Sequence, residues 1–127
     1  MEEIEIKANE CLNCKNARCV QGCPINTRIP EFISKIKSKK LEEAYYILQE
    51  NNALSSICAK ICPTENQCMG ACIKGIKGES VLINELENFV NEWAKENNIQ
   101  YEISCEELNG MKVAVVGRRS SRNCAVV

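Results

Sequence analysis

Eight cysteines crowd into two short stretches of this chain, and no histidine accompanies them anywhere in its 127 residues. The first stretch, "CLNCKNARCVQGCP", holds Cys11, Cys14, Cys19 and Cys23 in the spacing C-x2-C-x4-C-x3-C, closed by Pro24. The second, "CAKICPTENQCMGAC", holds Cys58, Cys62, Cys68 and Cys72 in the spacing C-x3-C-x5-C-x3-C, with Pro63 after Cys62. Thiols at this density raise the question of what, if anything, holds them together. The missing histidine removes His-based catalysis and mixed Cys/His zinc sites, leaving thiolate as the dominant soft ligand.

What binds the thiols depends first on the compartment. The opening "MEEIEIKANE" is acidic where a secretory signal would be basic and then apolar. No apolar run approaches the ~20 residues of a membrane-spanning helix. The expected location is the cytoplasm, where thiols stay reduced, so ten cysteines point to metal rather than to a disulfide framework. Sixteen basic and seventeen acidic residues nearly cancel, which gives no broad footprint for nucleic acid or an anionic membrane.

Along the chain, residues 1–10 read as a charged lead-in to the first cysteine group. Residues 30–52 read as two helices: Pro30 suits a first helical turn, and Leu41, Ala44, Tyr45 and Leu48 repeat at helical spacing. Lys35, Lys37, Lys39 and Lys40 separate them and read as a solvated surface. After the second cysteine group, "GIKGES" makes a turn and Ser80 is the expected N-cap of an amphipathic helix. Ile83, Leu86, Val90 and Trp93 form its apolar stripe. Only 5% of the chain is aromatic, so the expected core is built from Ile, Leu, Val and Ala.

A four-thiolate zinc site commonly uses two C-x2-C knuckles, and only one C-x2-C occurs here. Three thiolates on one loop followed by Cys-Pro is instead how bacterial ferredoxins hold a cubane, the cysteine before the proline serving the other cluster. The corners of a [4Fe–4S] cubane lie several ångströms apart. One loop can therefore wrap three irons while a distant segment caps the fourth. The spacing favours two such clusters, with structural zinc, disulfides and free thiols as the competing readings.

The stretches "CLNCKNARCVQGCPINTRIPEFI", "ICPTENQCMGAC" and "SVLINELENFV", followed by "KVAVVG", resemble the N-terminal iron–sulfur domain of the NADPH-dependent glutamate synthase small (beta) subunit. Dihydropyrimidine dehydrogenase and related flavoproteins carry a similar domain. The resemblance covers residues 11–93 and implies an all-α, helical ferredoxin-like domain over residues 1–108 with two [4Fe–4S] clusters. It implies that Cys11, Cys14, Cys19 and Cys72 hold one cluster. Cys23, Cys62, Cys68 and Glu87 would hold the other, because that family takes its last ligand from a Gln or Glu on the following helix.

From the residues alone Glu87 is ambiguous. It lies at the margin of the apolar stripe, one turn from Ile83 and beside Leu86 and Val90. A carboxylate facing a core without a partner is costly, and binding iron would offset that cost. By geometry alone an exposed glutamate at the edge of the stripe is the plainer reading, and the resemblance reverses it. Cys58 is surplus to the ligand set and is expected to be a small buried residue near a cluster. Cys105 has no partner by spacing.

"MKVAVVG" reads as a buried strand ending at Gly117, which is how a dinucleotide-binding unit opens. In the family that strand continues into a glycine-rich turn for FAD, whereas this chain continues "RRSSRNCAVV". A one-base shift of codons for Arg-Ser-Ser-Arg-Asn-Cys-Ala can spell Gly-Pro-Ala-Gly-Ile-Ala. Residues 118–127 are therefore expected to be out of frame, with Cys124 accidental, Gly117 a remnant of the FAD turn and residues 109–127 the start of a truncated domain. FAD and NADPH are expected only in a full-length protein, and this chain is expected to carry clusters without turning over substrate. The resemblance implies electron relay from FAD to a partner like the glutamate synthase large subunit, with self-association left open. The alternatives are a zinc-bound interaction module and a stand-alone ferredoxin-like carrier.

Overall fold

The computed structural model describes residues 2–102, together with Gly110, Lys112 and Ala114. Among the described residues there are six α-helices and no strand. They are α1 (Glu2–Asn9), α2 (Arg18–Gly22), α3 (Ile29–Lys37), α4 (Leu41–Asn51), α5 (Ser55–Ile61) and α6 (Ile83–Glu96). Two 3-10 turns, Thr64–Asn66 and Ile73–Ile76, lie between α5 and α6. The all-α expectation holds over these residues. The strand expected over 111–117, Gly117, Cys105 and Cys124 lie outside them, apart from Lys112 and Ala114.

The core follows from helical periodicity. Ile29, Phe32, Ile33 and Ile36 recur at three- and four-residue steps and bury one face of α3, while Leu41, Ala44 and Leu48 do the same for α4. Ile83, Leu86 and Val90 supply α6, with Trp93 half-buried against the same cluster. Each fully buried Ile, Leu or Phe contributes about 1.5–3 kcal/mol. The packed pairs are α3 with α4, α4 with α6, α5 with α6, and α1 with both α3 and α6.

Three details differ from the sequence reading. The lead-in is a helix: α1 inserts Ala8 into the core and donates from Lys7 to Glu85 at 2.7 Å. Its acidic first turn, Glu2, Glu3 and Glu5, suits the positive end of a helix dipole. Ser80 is not the cap of α6, because Leu82 occupies that position without a side-chain cap. The lysine cluster is only partly a solvated face, since Lys37 donates to the Cys11 carbonyl oxygen at 2.7 Å.

The break between α3 and α4 is a Schellman-type end. Lys40 N–H bonds the Lys35 carbonyl and Lys39 N–H bonds the Ile36 carbonyl, each at 2.9 Å, with Lys39 at φ 59°. The turn sends α4 back along α3.

Candidate metal centre

The first cysteine loop is shaped by its backbone. Asn13 sits in the left-handed region at φ 50°, which asparagine tolerates better than most side chains, and this curls the Cys11–Cys14 turn inward. Short α2 then carries Cys19, and Cys23 follows immediately after it. The Cys23 thiol donates to Thr27 Oγ1 at 3.4 Å, and Thr27 is only 6% exposed. Arg28 fixes the exit from the loop: its Nε donates to Asn51 Oδ1 at 3.1 Å, and its guanidinium pairs with Glu31 and Glu50.

The second segment folds back on itself. The Thr64 carbonyl accepts from the N–H groups of Gln67, Met69 and Gly70, which turns the chain after Pro63 and returns Cys68 toward the core. The two segments then meet at Gly22. A Cβ there would lie 2.7 Å from the Gln67 carbonyl oxygen and 2.8 Å from the Ala71 Cβ, so only glycine admits this approach. Gln67 precedes Cys68 and Ala71 precedes Cys72, so the contact brings the C-terminal half of the second group against the first.

The result is two sets of donors, each drawn from both segments. In the first, Cys11, Cys14, Cys19 and Cys72 line one cavity together with Ala17, Pro30 and Val81. Burial pushes the Cys19 thiol up to about 11, and the neighbouring charges of Cys72 and Cys11 push the same way. In the second, burial again pushes Cys68 up to about 11, with the charges of Cys23 and Glu87 beside it. Cys62 is raised too, by burial first and then by Cys58, Glu87 and Cys23.

Glu87 is half-buried on α6, and burial raises its carboxyl while a hydrogen bond from Ser55 opposes the shift. Its charge acts on both Cys62 and Cys68. Cys58 is half-buried, not buried as expected; it lies one turn before Cys62 on α5 and accepts from Asn52 Nδ2 at 3.0 Å. Ser55, Asn91 and Thr27 were not singled out from the sequence and Lys37 was read there as solvated surface, yet all four touch a candidate donor or its partner.

Burial first, and then their neighbours' charges, favour the protonated form of Cys19, Cys62 and Cys68. Iron bound at either set would take the place of those protons and favour the thiolates. Among the described residues no group of three or more Cys, Asp or Glu is gathered as a site for a single metal ion. A cubane makes a different demand, because its separated corners need donors spread around a cavity.

A helical fold whose thiols converge in this way defines an iron–sulfur domain. Residues 1–99 match the family described as dihydropyrimidine dehydrogenase domain II, 4Fe-4S cluster, and the chain belongs to that family. It is 33% identical over 112 residues to the NAD-dependent dihydropyrimidine dehydrogenase subunit PreT of Escherichia coli (strain K12), covering 87% of this chain and 27% of the relative. To the glutamate synthase [NADPH] small chain of the same strain it is 28% identical over 115 residues, covering 91% and 24%. To that of Azospirillum brasilense it is 31% identical over 118 residues, with the same coverage. The chain thus spans about a quarter of the length of these relatives. Among the described residues no helix is long and apolar enough to cross a membrane.

Proposed function

We propose that this chain holds two [4Fe–4S] clusters and is the electron-transfer domain of an NAD(P)H-dependent oxidoreductase of the glutamate synthase small-subunit type. The observation that carries the reading is the crossing of the two cysteine segments. Cys72 lines one cavity with Cys11, Cys14 and Cys19, and Gly22, next to Cys23, packs against Gln67, next to Cys68. Two independent sites, each using its four local cysteines, would have no reason to cross.

On this reading Cys11, Cys14, Cys19 and Cys72 hold the first cluster, and Cys23, Cys62, Cys68 and Glu87 hold the second. Such clusters supply one-electron transfer when bound. The protein's part is to exclude water, fix the donors and set the charge around them. Burial of Cys19 and Cys68 does the first, and the Gly22 contact does the second. Lys37 places a positive charge at the Cys11 backbone, whereas Glu87 brings a carboxylate, a harder donor than thiolate, to the other site.

The domain occupies residues 1–108, and residues 109–127 end a linker and open an FAD-binding domain. FAD and NADPH sites belong to the longer protein, whose electrons pass through this domain to a partner subunit resembling the glutamate synthase large subunit. The relatives named as a glutamate synthase small chain and a dihydropyrimidine dehydrogenase subunit support that placing. The test is an anaerobic visible spectrum with iron, sulfide and zinc analysis on one sample. Brown protein with about eight irons per chain, as two cubanes require, is the expected result. Colourless protein that takes up stoichiometric zinc and no iron under anaerobic reconstitution would overturn it.

A further inference from the structure

The seam between α5 and α6 is not purely apolar. Ser55 is 0% exposed and Asn91 is 7% exposed. Polar side chains so placed are costly unless each is hydrogen-bonded, and these two are bonded in a definite order. Gln49 Nε2 donates to Asn91 Oδ1 at 3.3 Å. Asn91 Nδ2 donates to Ser55 Oγ at 2.9 Å and to the Glu87 carbonyl oxygen at 2.9 Å. Ser55 Oγ donates to Glu87 Oε1 at 2.7 Å.

The direction of this chain is forced. An amide nitrogen can only donate, so the serine oxygen accepts from Asn91 and must send its single proton elsewhere. The carboxylate receives it. Oε1 is thereby engaged, and among the described residues no hydrogen bond reaches Oε2. The terminal torsion of a glutamate is broad and roughly two-fold, so an untethered carboxylate would offer either oxygen or both. Here one is held and the other left for a ligand.

We propose that Ser55, oriented by Asn91 and Gln49, is the positioning residue that makes Glu87 a one-oxygen donor to the second site. This rests on the reading of Glu87 as a ligand. A merely structural role, in which Ser55 and Asn91 only satisfy each other across a helix seam, would leave the bound site indifferent to the hydroxyl. A positioning role ties the hydroxyl to the state of that site and not to its neighbour.

The test uses the 127-residue chain, reconstituted anaerobically with iron and sulfide, in a Cys58→Ala background that removes the other thiol beside Cys62. The readouts are the electron paramagnetic resonance spectrum of the reduced protein and the rate of iron loss to a chelator. Ser55→Ala is expected to leave the first-site signal intact, to broaden or split the second-site signal and to release second-site iron about 10-fold faster, the low end of outer-shell effects. Ser55→Thr, which keeps the hydroxyl, is expected to restore the parent spectrum. Should Ser55→Ala fail to fold, Asn91→Ala leaves the hydroxyl present but unoriented and is expected to broaden the same signal. If either alanine variant leaves the second signal and its iron release unchanged while Glu87→Ala alters them, Glu87 binds unaided and the positioning role is overturned. If Glu87→Ala itself alters nothing, the ligand reading falls and the positioning role with it.

Discussion

The two donor sets are built by different means. The first is four thiols on loops and a short helix, gathered by a left-handed asparagine at Asn13 and bordered by the cation of Lys37 at the Cys11 carbonyl. The second hangs its carboxylate on a long helix and fixes it through the α5–α6 seam with neutral donors. Thiols on a curled loop converge through local turns. A carboxylate on a helix converges only when two helices lock in one register. Three donors of the first site are therefore a property of short sequence, with Cys72 brought to them from the other segment, and the second site is a property of the packed domain.

That contrast can be broken at Gly22, where the two segments meet. Gly22→Val forces a side chain into the Gln67 carbonyl and Ala71. Overpacking of this kind costs about 1–3 kcal/mol. Both sites should be lost together, read as iron falling from about eight per chain toward none. Glu87→Ala is next in size and should separate the two: the first-site signal persists while the second changes in shape or vanishes. Lys37→Met should act on the first site alone. Removing a positive charge beside it makes an added electron less favourable, so its midpoint in a potentiometric titration should fall while that of the second site stays fixed. The lost charged hydrogen bond should also reduce stability by about 1.5 kcal/mol in denaturant melts.

The smallest effect is expected from Lys39→Gly. It relieves a left-handed lysine, loses an exposed pair with Glu5 and frees the unfolded chain, so the net change should stay within about 1 kcal/mol with both sites untouched.

The same contrast explains what the sequence could tell. Spacing exposed the thiols because Cys11, Cys14 and Cys19 are neighbours along the chain, and the stripes of α3 and α6 were legible because helical period is local. Helix α1 was not, since its apolar contribution is only Ala8 and a partly buried Ile4, and its hold on the domain includes the pair between Lys7 and Glu85, far apart in sequence. The partners of Glu87 were hidden for the same reason. Ser55 and Asn91 are 36 residues apart, Gln49 and Asn91 are 42 apart, and nothing in either neighbourhood marks them before α5 packs on α6. Lys37 looked like any surface lysine because its acceptor is a backbone carbonyl in another loop.

The crossing of the segments is tested most directly by iron content in the double variant Cys14→Ala/Cys72→Ala. If both cysteines serve the first site, the double variant loses one cluster and keeps about four irons per chain, matching either single variant. If each segment instead built its own site, the two substitutions would strike different clusters. Each single variant would then keep about four irons and the double variant almost none, which would contradict the crossed arrangement.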